Sequence, residues 1–407
     1  MPDDAVELPF GDGTLAVSLP DCEVDVAVPA GGEPVDPRTA AETALDDPHG
    51  PPIDAMVDAG DDVALVVTDV TRATPDEALV AAMLDRLPVD RDRVTIVLGL
   101  GLHRPMTDAE IRSGLGEFAD LAENHDPDAA VEVGAVDGVP VRVNPAVADA
   151  DAVLATGMVE PHQYAGFSGG AKTVVVGAGA EPLIRHTHGP AMLAEPGVRL
   201  GRVDDNPFRE FLDRAGDVAG PDFCVNVTHG PAGILGAAAG EPRAVVRDLA
   251  DTARAALSVE VTGEYDAVLG GVAAPKDANL YQTSRAATYV ILGAKNPLRS
   301  GGRVVLPARL PEGAGDGRGE RRFYDRLSTG ASAADVFETM REGYEPGAQR
   351  AFVLARALRD HEVWITNSEH PAVVEECLMH AADTPADAIA PGSRVLVVPD
   401  ALGTLLV

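Results

Sequence analysis

The chain has 407 residues, with 32 Lys and Arg against 65 Asp and Glu and a formal net charge of −33. A surface that acidic repels phosphate backbones, which argues against DNA or RNA as a partner, and 45% hydrophobic residues are ample for a folded core. The three cysteines, Cys22, Cys224 and Cys377, are far apart with no CxxC, which excludes a disulfide framework and a thiolate zinc site.

No apolar run approaches the ~18 residues of a membrane span, and Met-Pro-Asp-Asp carries no basic signal region, so a cytoplasmic protein without a membrane partner is expected. Only three cations are lysines: Lys172, Lys276 and Lys295. Abundant carboxylates with scarce lysine suit a cytosol of multimolar salt, where screening suppresses self-repulsion. A high-GC genome that swaps Lys for Arg is the alternative. Under either reading, a retained lysine draws notice.

Apolar strands alternating with amphipathic helices predict an α/β fold. The first predicted strand, 63–68, leads into Asp69-Val-Thr-Arg-Ala-Thr-Pro75 and a helix opened by Pro75. The second, 94–99, leads through Gly-Leu-His103-Arg104 to a helix whose start, Thr107 with Glu110, reads as a capping box. The third, 152–155, leads into a loop over 157–172 that ends Gly-Phe-Ser-Gly-Gly-Ala-Lys172. A fourth strand at 223–227 and a long helix at 243–258 precede a connector at 259–265. Further strands follow at 267–270, 303–306, 363–366 and 394–398, with a helix at 284–292 and a Gly-rich mobile loop at 310–320. We expect two α/β domains with an active-site cleft between them. The first is a cofactor-binding domain, 1–260, to which 390–407 returns; the second, 262–389, closes the cleft.

Parallel α/β sheets bind ligands beyond the carboxyl ends of their strands, so the three loops after 63–68, 94–99 and 152–155 should converge. In the first, Thr71, Arg72 and Thr74 could hold an anion at a helix N-terminus, or Thr74-Pro75 could merely cap it. His103 could be a general base, with Arg104 holding an anion, or a satisfied loop histidine. GFSGGAKT nearly reproduces a Walker A loop, but Ala171 stands where its second glycine belongs and no Walker B strand follows, which disfavours an ATPase. The glycines could still cradle a phosphate through backbone N–H groups. VVVGAGAEP is a weak dinucleotide signal without a third glycine. His186 and His188, two apart, do not share a helix face, so one at most points at a site. One imidazole without thiolates is a poor protein-only metal site, and a metal here would need ligands from something else. A fourth polar cluster, 270–285, contains Lys276, Asp277, Asn279 and Gln282, which fit either a cleft or a capped turn.

These segments, in this order, resemble the nickel-dependent lactate racemase family. The carriers are DVTRATP, GLHRPMT, EPHQYAGFSGGAK, a histidine 16 residues beyond that lysine, and DANLYQ. The resemblance, probably closest in character to a haloarchaeal member, spans nearly the whole chain. It implies a 2-hydroxy-acid racemase that uses a nickel-pincer nucleotide, pyridinium-3,5-bisthiocarboxylic acid mononucleotide nickel. By motif, Lys172 is the covalent attachment lysine and His188, chosen over His186 on spacing, the nickel ligand. His103 and His162 match the catalytic acid/bases. Asp69, Thr71 and Arg72, with Phe167, Ser168, Gly169 and Gly170, match positions beside the cofactor or substrate. Gln282 and Arg285, with Arg72, match substrate-binding positions. Two departures stand out: Arg285 replaces a lysine, and a tryptophan is replaced near Gly347–Arg350, which suits a larger or more acidic substrate than lactate. The implied partners are a small 2-hydroxy acid and cofactor-biosynthesis proteins. The alternatives are a family member that binds cofactor or nucleotide without turnover, and an NAD-dependent 2-hydroxy-acid dehydrogenase.

Overall fold

The structure, a computed structural model, describes residues 5–101 and 103–407. The chain divides into two compact units, one built from 31–187 and 195–256, the other from 1–30, 188–194 and 257–407. Each is built around its own six-stranded sheet.

In the first unit the strands lie in the order Gly233–Gly240, Phe223–Gly230, Ala152–Met158, Val63–Thr68, Val94–Gly99, Ala122–Asn124. All neighbours are parallel except the edge strand Gly233–Gly240. Its central strands are β-branched and apolar on both faces, as burial by helices on both sides requires. Val63–Thr68 is buried over its first five residues and Ala152–Met158 throughout. Leu65, Val67, Ile96, Leu98, Leu154 and Val225 pack with Leu79 and Met83 of the helix Asp76–Leu84 to form the core on one face. From Val63–Thr68 the chain winds outward through Val94–Gly99 to Ala122–Asn124, and then crosses back to place Ala152–Met158 on the other side. The switch point therefore lies between the Val63–Thr68 and Ala152–Met158 strands, at whose carboxyl ends the Asp69 and Lys172 loops begin.

The expected capping box forms: Thr107 Oγ1 accepts from the Glu110 N–H at 3.3 Å and the Glu110 carboxylate accepts from the Thr107 N–H at 2.8 Å. The apolar run after Lys172 is not a strand. Thr173–Gly177 forms a single π-helical turn, so the Gly-x-Gly beyond it lacks the strand that a dinucleotide fingerprint requires.

The second unit carries an all-parallel sheet in the order His380–Ala382, Glu362–Thr366, Leu298–Pro307, Tyr265–Gly270, Arg394–Val398, Glu23–Val26. This corrects the expected domain assignment at both chain ends. Arg394–Val398 pairs with Tyr265–Gly270 and does not return to the first unit, and Glu23–Val26 joins it at the edge. The physical reason is a shared core: Leu8, Val17 and Leu19 of an N-terminal hairpin pack with Leu269, Val305, Val395 and Val397. The expected loop at 310–320 is helical from Arg318 onward.

Candidate active site

At the first unit's switch point, the Asp69 loop turns tightly, with the Arg72 N–H bonded to the Asp69 carbonyl at 3.0 Å. Asp69 is 8% exposed, and its two carboxylate oxygens have separate tasks. Oδ1 accepts from Thr71 Oγ1 at 2.5 Å and Thr71 N at 3.1 Å, while Oδ2 meets His103 Nδ1 at 2.6 Å. Burial works against ionisation of Asp69, but the hydrogen bonds from His103 and Thr71 outweigh it and hold the carboxyl below its usual value. A carboxylate on Nδ1 fixes the proton there and leaves Nε2 as the basic nitrogen of the neutral ring. His103 itself is well exposed. Asp69 and Thr71, expected beside the cofactor, thus act first as the support of His103.

The Asp69–His103 pair sits over a second carboxyl. Asp76, also 8% exposed, accepts from Thr68 Oγ1 at 2.7 Å and from Thr156 Oγ1. Burial pushes its pKa up to about 7 against these hydrogen bonds, with the Asp69 charge adding to the rise. Arg104 is turned away and grips Glu110 with both terminal nitrogens, at 2.9 and 2.6 Å, so the anion-binding role considered for it is not supported by its geometry.

The third loop closes on itself. The Ser168 hydroxyl donates to the Met158 carbonyl at 2.6 Å, and the Ser168 N–H to the Glu160 carbonyl at 2.9 Å. Phe167 is fully buried, with the Arg254 guanidinium 5.1 Å from its ring centre. The side chains of Phe167 and Ser168 are both buried. Gly169 and Gly170 follow with φ of +81° and +60°. A Cβ on Gly169 would stand 2.6 Å from Asn226 Oδ1, so only glycine lets the chain pass here. The Gly170 N–H is bonded to that same Asn226 oxygen at 2.8 Å. With the Ser168 and Gly170 amides occupied internally, the loop has fewer donors for a phosphate than its glycines suggest.

Lys172 emerges at the start of the π-turn, partly buried. Burial first, then the charges of Arg72 and Arg209, push its pKa down to about 7 against the pull of Glu160 and Asp69. The π-turn lies against the His103 loop, because Gly99 and Gly177 meet without side chains and the Gly101 N–H donates to the Gly177 carbonyl at 2.7 Å. That contact brings the second and third loops together.

His162 lies in the same loop as Lys172, edge-on to Tyr164 with ring centres 5.6 Å apart. Its Nδ1 accepts from the Tyr164 and Ala165 amides at 3.3 and 3.1 Å, which leaves the proton of the neutral ring on Nε2. Arg72 pairs with Glu160 at 3.0 Å, and Glu160 also faces His229 Nε2 at 3.6 Å. His186 leans on the Phe211 ring with centres 4.5 Å apart, whereas His188 falls in the segment 188–194 that belongs to the second unit.

In the second unit, Gln282 and Arg285 lie on the helix Leu280–Ile291. Arg350 reaches Gln282 Oε1 at 3.4 Å and the Tyr281 carbonyl at 2.8 Å, with its guanidinium 3.8 Å from the Tyr281 ring centre. Arg285 donates to the Tyr289 hydroxyl at 3.0 Å. Asn279 caps this helix through the Gln282 N–H at 3.0 Å.

Sequence reasoning missed Asp76, Glu160, Arg209, Asn226 and His229. Asn226 carried a signal, a lone amide in the apolar run FCVNV, where burial of a polar group demands a partner. Arg209 carried none, since one arginine among many in an Arg-rich chain looks like surface.

Comparison with known proteins places similarity over nearly the whole chain. A family model described as the lactate racemase N-terminal domain matches residues 10–201. The lactate racemase of Thermoanaerobacterium thermosaccharolyticum is 25% identical over 98% of this chain and 99% of its own length. That of Lactiplantibacillus plantarum is 26% identical over 91% of both. The family model thus matches just under half of this chain, and the two curated lactate racemases are similar to it over most of its length. The fold agrees as well: the lactate racemase apoprotein from T. thermosaccharolyticum superposes with a TM-score of 0.85 at 23% identity, covering 99% of this chain and 100% of that one. A Thermotoga maritima protein matches at 0.66 and 15% identity, over 93% and 99%. Among the described residues, no helix is long and apolar enough to cross a membrane, and no group of three or more His, Cys, Asp or Glu is arranged to hold a metal ion.

Proposed function

We propose that the protein racemises lactate or a related 2-hydroxy acid with a nickel-pincer nucleotide tethered to Lys172. What supports this reading first is the similarity to lactate racemases over most of the chain, joined by the place of Lys172, a lysine in a chain nearly devoid of them, at the end of the loop that follows a central strand of the first unit's sheet. Burial lowers its pKa to about 7. Attachment as a thioamide requires an amine with its lone pair free, which an ordinary lysine lacks at neutral pH. The neighbouring residues also fit a bound polar group. Buried Thr74 Oγ1 and Asn226 Nδ2 have no hydrogen-bond partner, and Asn226 Nδ2 and Thr173 Oγ1 both border the bare surface of Gly157. His188 is the proposed nickel ligand, with the remaining donors belonging to the nucleotide. When bound, the group supplies the hydride acceptor, which a secondary carbinol needs because its C–H is too weakly acidic for direct deprotonation.

In this reading His103, oriented by Asp69, would take the substrate hydroxyl proton at Nε2. Inversion also needs a proton carrier on the opposite side of the carbinol carbon, and His162 is the proposed second acid/base. The two rings are not equivalent at rest. His103 presents a base, whereas His162 presents an Nε2–H donor and must release the Tyr164 and Ala165 amides before it can accept there. Arg72, Gln282 and Arg285 are the proposed substrate contacts, and Arg350 beside Gln282 favours including acids with a second anionic group.

A soluble cytoplasmic enzyme of a high-salt cell, served by cofactor-biosynthesis proteins, completes the proposal. Its test is chiral analysis of a panel of 2-hydroxy acids with cofactor-loaded protein in multimolar KCl, together with nickel per chain. Loaded wild type that interconverts no enantiomeric pair overturns the racemase reading, and a loaded His188→Ala variant that keeps wild-type nickel content overturns the ligand.

A further inference from the structure

Arg209 lies on the helix Pro207–Ala219 and is 2% exposed, yet its carboxylate partner Asp213 stands 3.6 Å away. Its guanidinium is instead directed at the loop that carries Lys172. Nη1 donates to the Gly169 carbonyl at 3.2 Å, and Nη2 donates to the Phe167 carbonyl and to that of Ser168 at 3.4 Å. Three successive carbonyls are held by one planar fork, a task for which arginine is built and lysine is not. From below, Asn226 holds the Gly170 amide. Burying a cation with so little compensation is expensive, and an apolar residue would pack the helix at lower cost.

We propose that Arg209 is a positioning residue for Lys172: it fixes the turn from which the lysine departs and stations a permanent cation beside the amine. The proposal rests on the reading of Lys172 as the attachment site. The charged groups facing the amine are Arg72 and Arg209, which oppose its protonation, and Glu160 and Asp69, which favour it. Arg72 is paired with Glu160 at 3.0 Å and acts on the amine more strongly than Arg209, whose partner Asp213 stands 3.6 Å away, but of the two cations Arg209 is the one whose hydrogen bonds hold the turn before Lys172. The arrangement fixes the turn before the attachment lysine and lowers the pH at which its amine is free, to about 7.

The test uses the full-length apo-protein and needs no turnover. Limiting acetic anhydride is added across a pH series, and acetylation of Lys172 is read by peptide mass spectrometry, with exposed Lys276 and Lys295 as internal references. Wild-type labelling should rise with a midpoint near the value at which Lys172 is held, about 7. Arg209→Met should raise that midpoint by about one pH unit, lowering acetylation at pH 7 several-fold, whatever it does to the melting temperature. Arg209→Lys, which keeps the charge, should return the midpoint most of the way. Asp213→Asn, which strips Arg209 of its carboxylate, should lower it and decides the matter if Arg209→Met does not fold. An unchanged midpoint in folded Arg209→Met, or in Asp213→Asn, overturns the proposal and leaves Arg209 a fold strut. Absence of a cofactor adduct on loaded wild type would instead overturn the attachment reading and leave these labelling results standing.

Discussion

Each unit has a parallel sheet with a switch point, and each switch point carries a polar cluster leading into a helix, but the two clusters are made differently. In the second unit the Gly270–Arg285 segment follows the Tyr265–Gly270 strand, where the chain later returns as Arg394–Val398 on the other side. There three buried polar side chains are matched by neighbours: Asp277 accepts the Gly11 N–H at 2.8 Å, Asn279 caps its helix and reaches Glu312 at 2.8 Å, and Thr283 donates to the Lys276 carbonyl at 3.1 Å. In the first unit Lys172 and Asp76 are held far from their usual protonation, Arg209 is buried, and Thr74 Oγ1 and Asn226 Nδ2 lack partners. A polar motif after a strand is therefore not diagnostic by itself. Buried groups whose protonation is displaced mark where chemistry is prepared.

The comparison is broken most directly at Lys172. Lys172→Ala should fold but lack the covalent mass increment of loaded wild type, and Lys172→Arg should fail equally, because a guanidinium cannot form the same thioamide. Intact-protein mass spectrometry checks both, and an adduct persisting on either variant removes the first cluster's claim to be the attachment site.

Next come the two imidazoles. His103→Ala and His162→Ala should each lose racemisation by ~10²–10⁴-fold, the usual worth of an acid/base group. In single-turnover formation of the 2-keto acid the two variants should prefer opposite enantiomers. Asp69→Asn should resemble His103→Ala, because an amide can present its oxygen or its NH₂ to Nδ1 and no longer enforces the tautomer. Near-wild-type racemisation in either histidine variant breaks the pairing of the two residues as acid/bases.

Asp76 gives a smaller, purely thermodynamic effect. Its folded pKa, about 7, lies above the ordinary aspartate value of 3.8, so the folded state holds a proton that the unfolded chain releases between those values. Its contribution to stability is therefore retained below the lower value, declines as pH rises through the window, and stays lost above about 7. Asp76→Asn, neutral and of the same shape, should flatten that decline and stabilise the protein on the order of 2–4 kcal/mol at pH 8. Melting curves against pH check the slope; parallel curves for variant and wild type would show that Asp76 is ionised in the fold.

The smallest effect belongs to the second cluster. Asn279→Ala removes a helix cap and should cost about 1 kcal/mol by denaturant unfolding. It should leave the Lys172 adduct intact. Loss of the adduct with unchanged stability would show that the second cluster, too, is prepared for chemistry.

Much of this was legible in the sequence because local rules sufficed. The buried strands declare themselves by unbroken β-branched runs, Thr107 with Glu110 declares a helix start, and Asp69, His103, His162 and Lys172 declare themselves by type and by their place after strands. What sequence could not supply was pairing at a distance. The Glu23–Val26 strand is too short to announce its partner, and only the shared core with Arg394–Val398 puts both chain ends in the second unit. The sides of the Phe167–Gly170 loop were equally undetermined, since whether a serine hydroxyl meets a ligand or the carbonyl of Met158 depends on where the strand before it ends. The sequence alone determined the fold class, the resemblance to lactate racemases and the chemical types at the candidate site. Tertiary structure alone decided their states: which nitrogen of each histidine carries the proton, which carboxyl is ionised, and that Arg209 lies buried behind Lys172. Those states depend on burial and on charges brought together from segments distant in the chain, and neither quantity exists until the chain has folded.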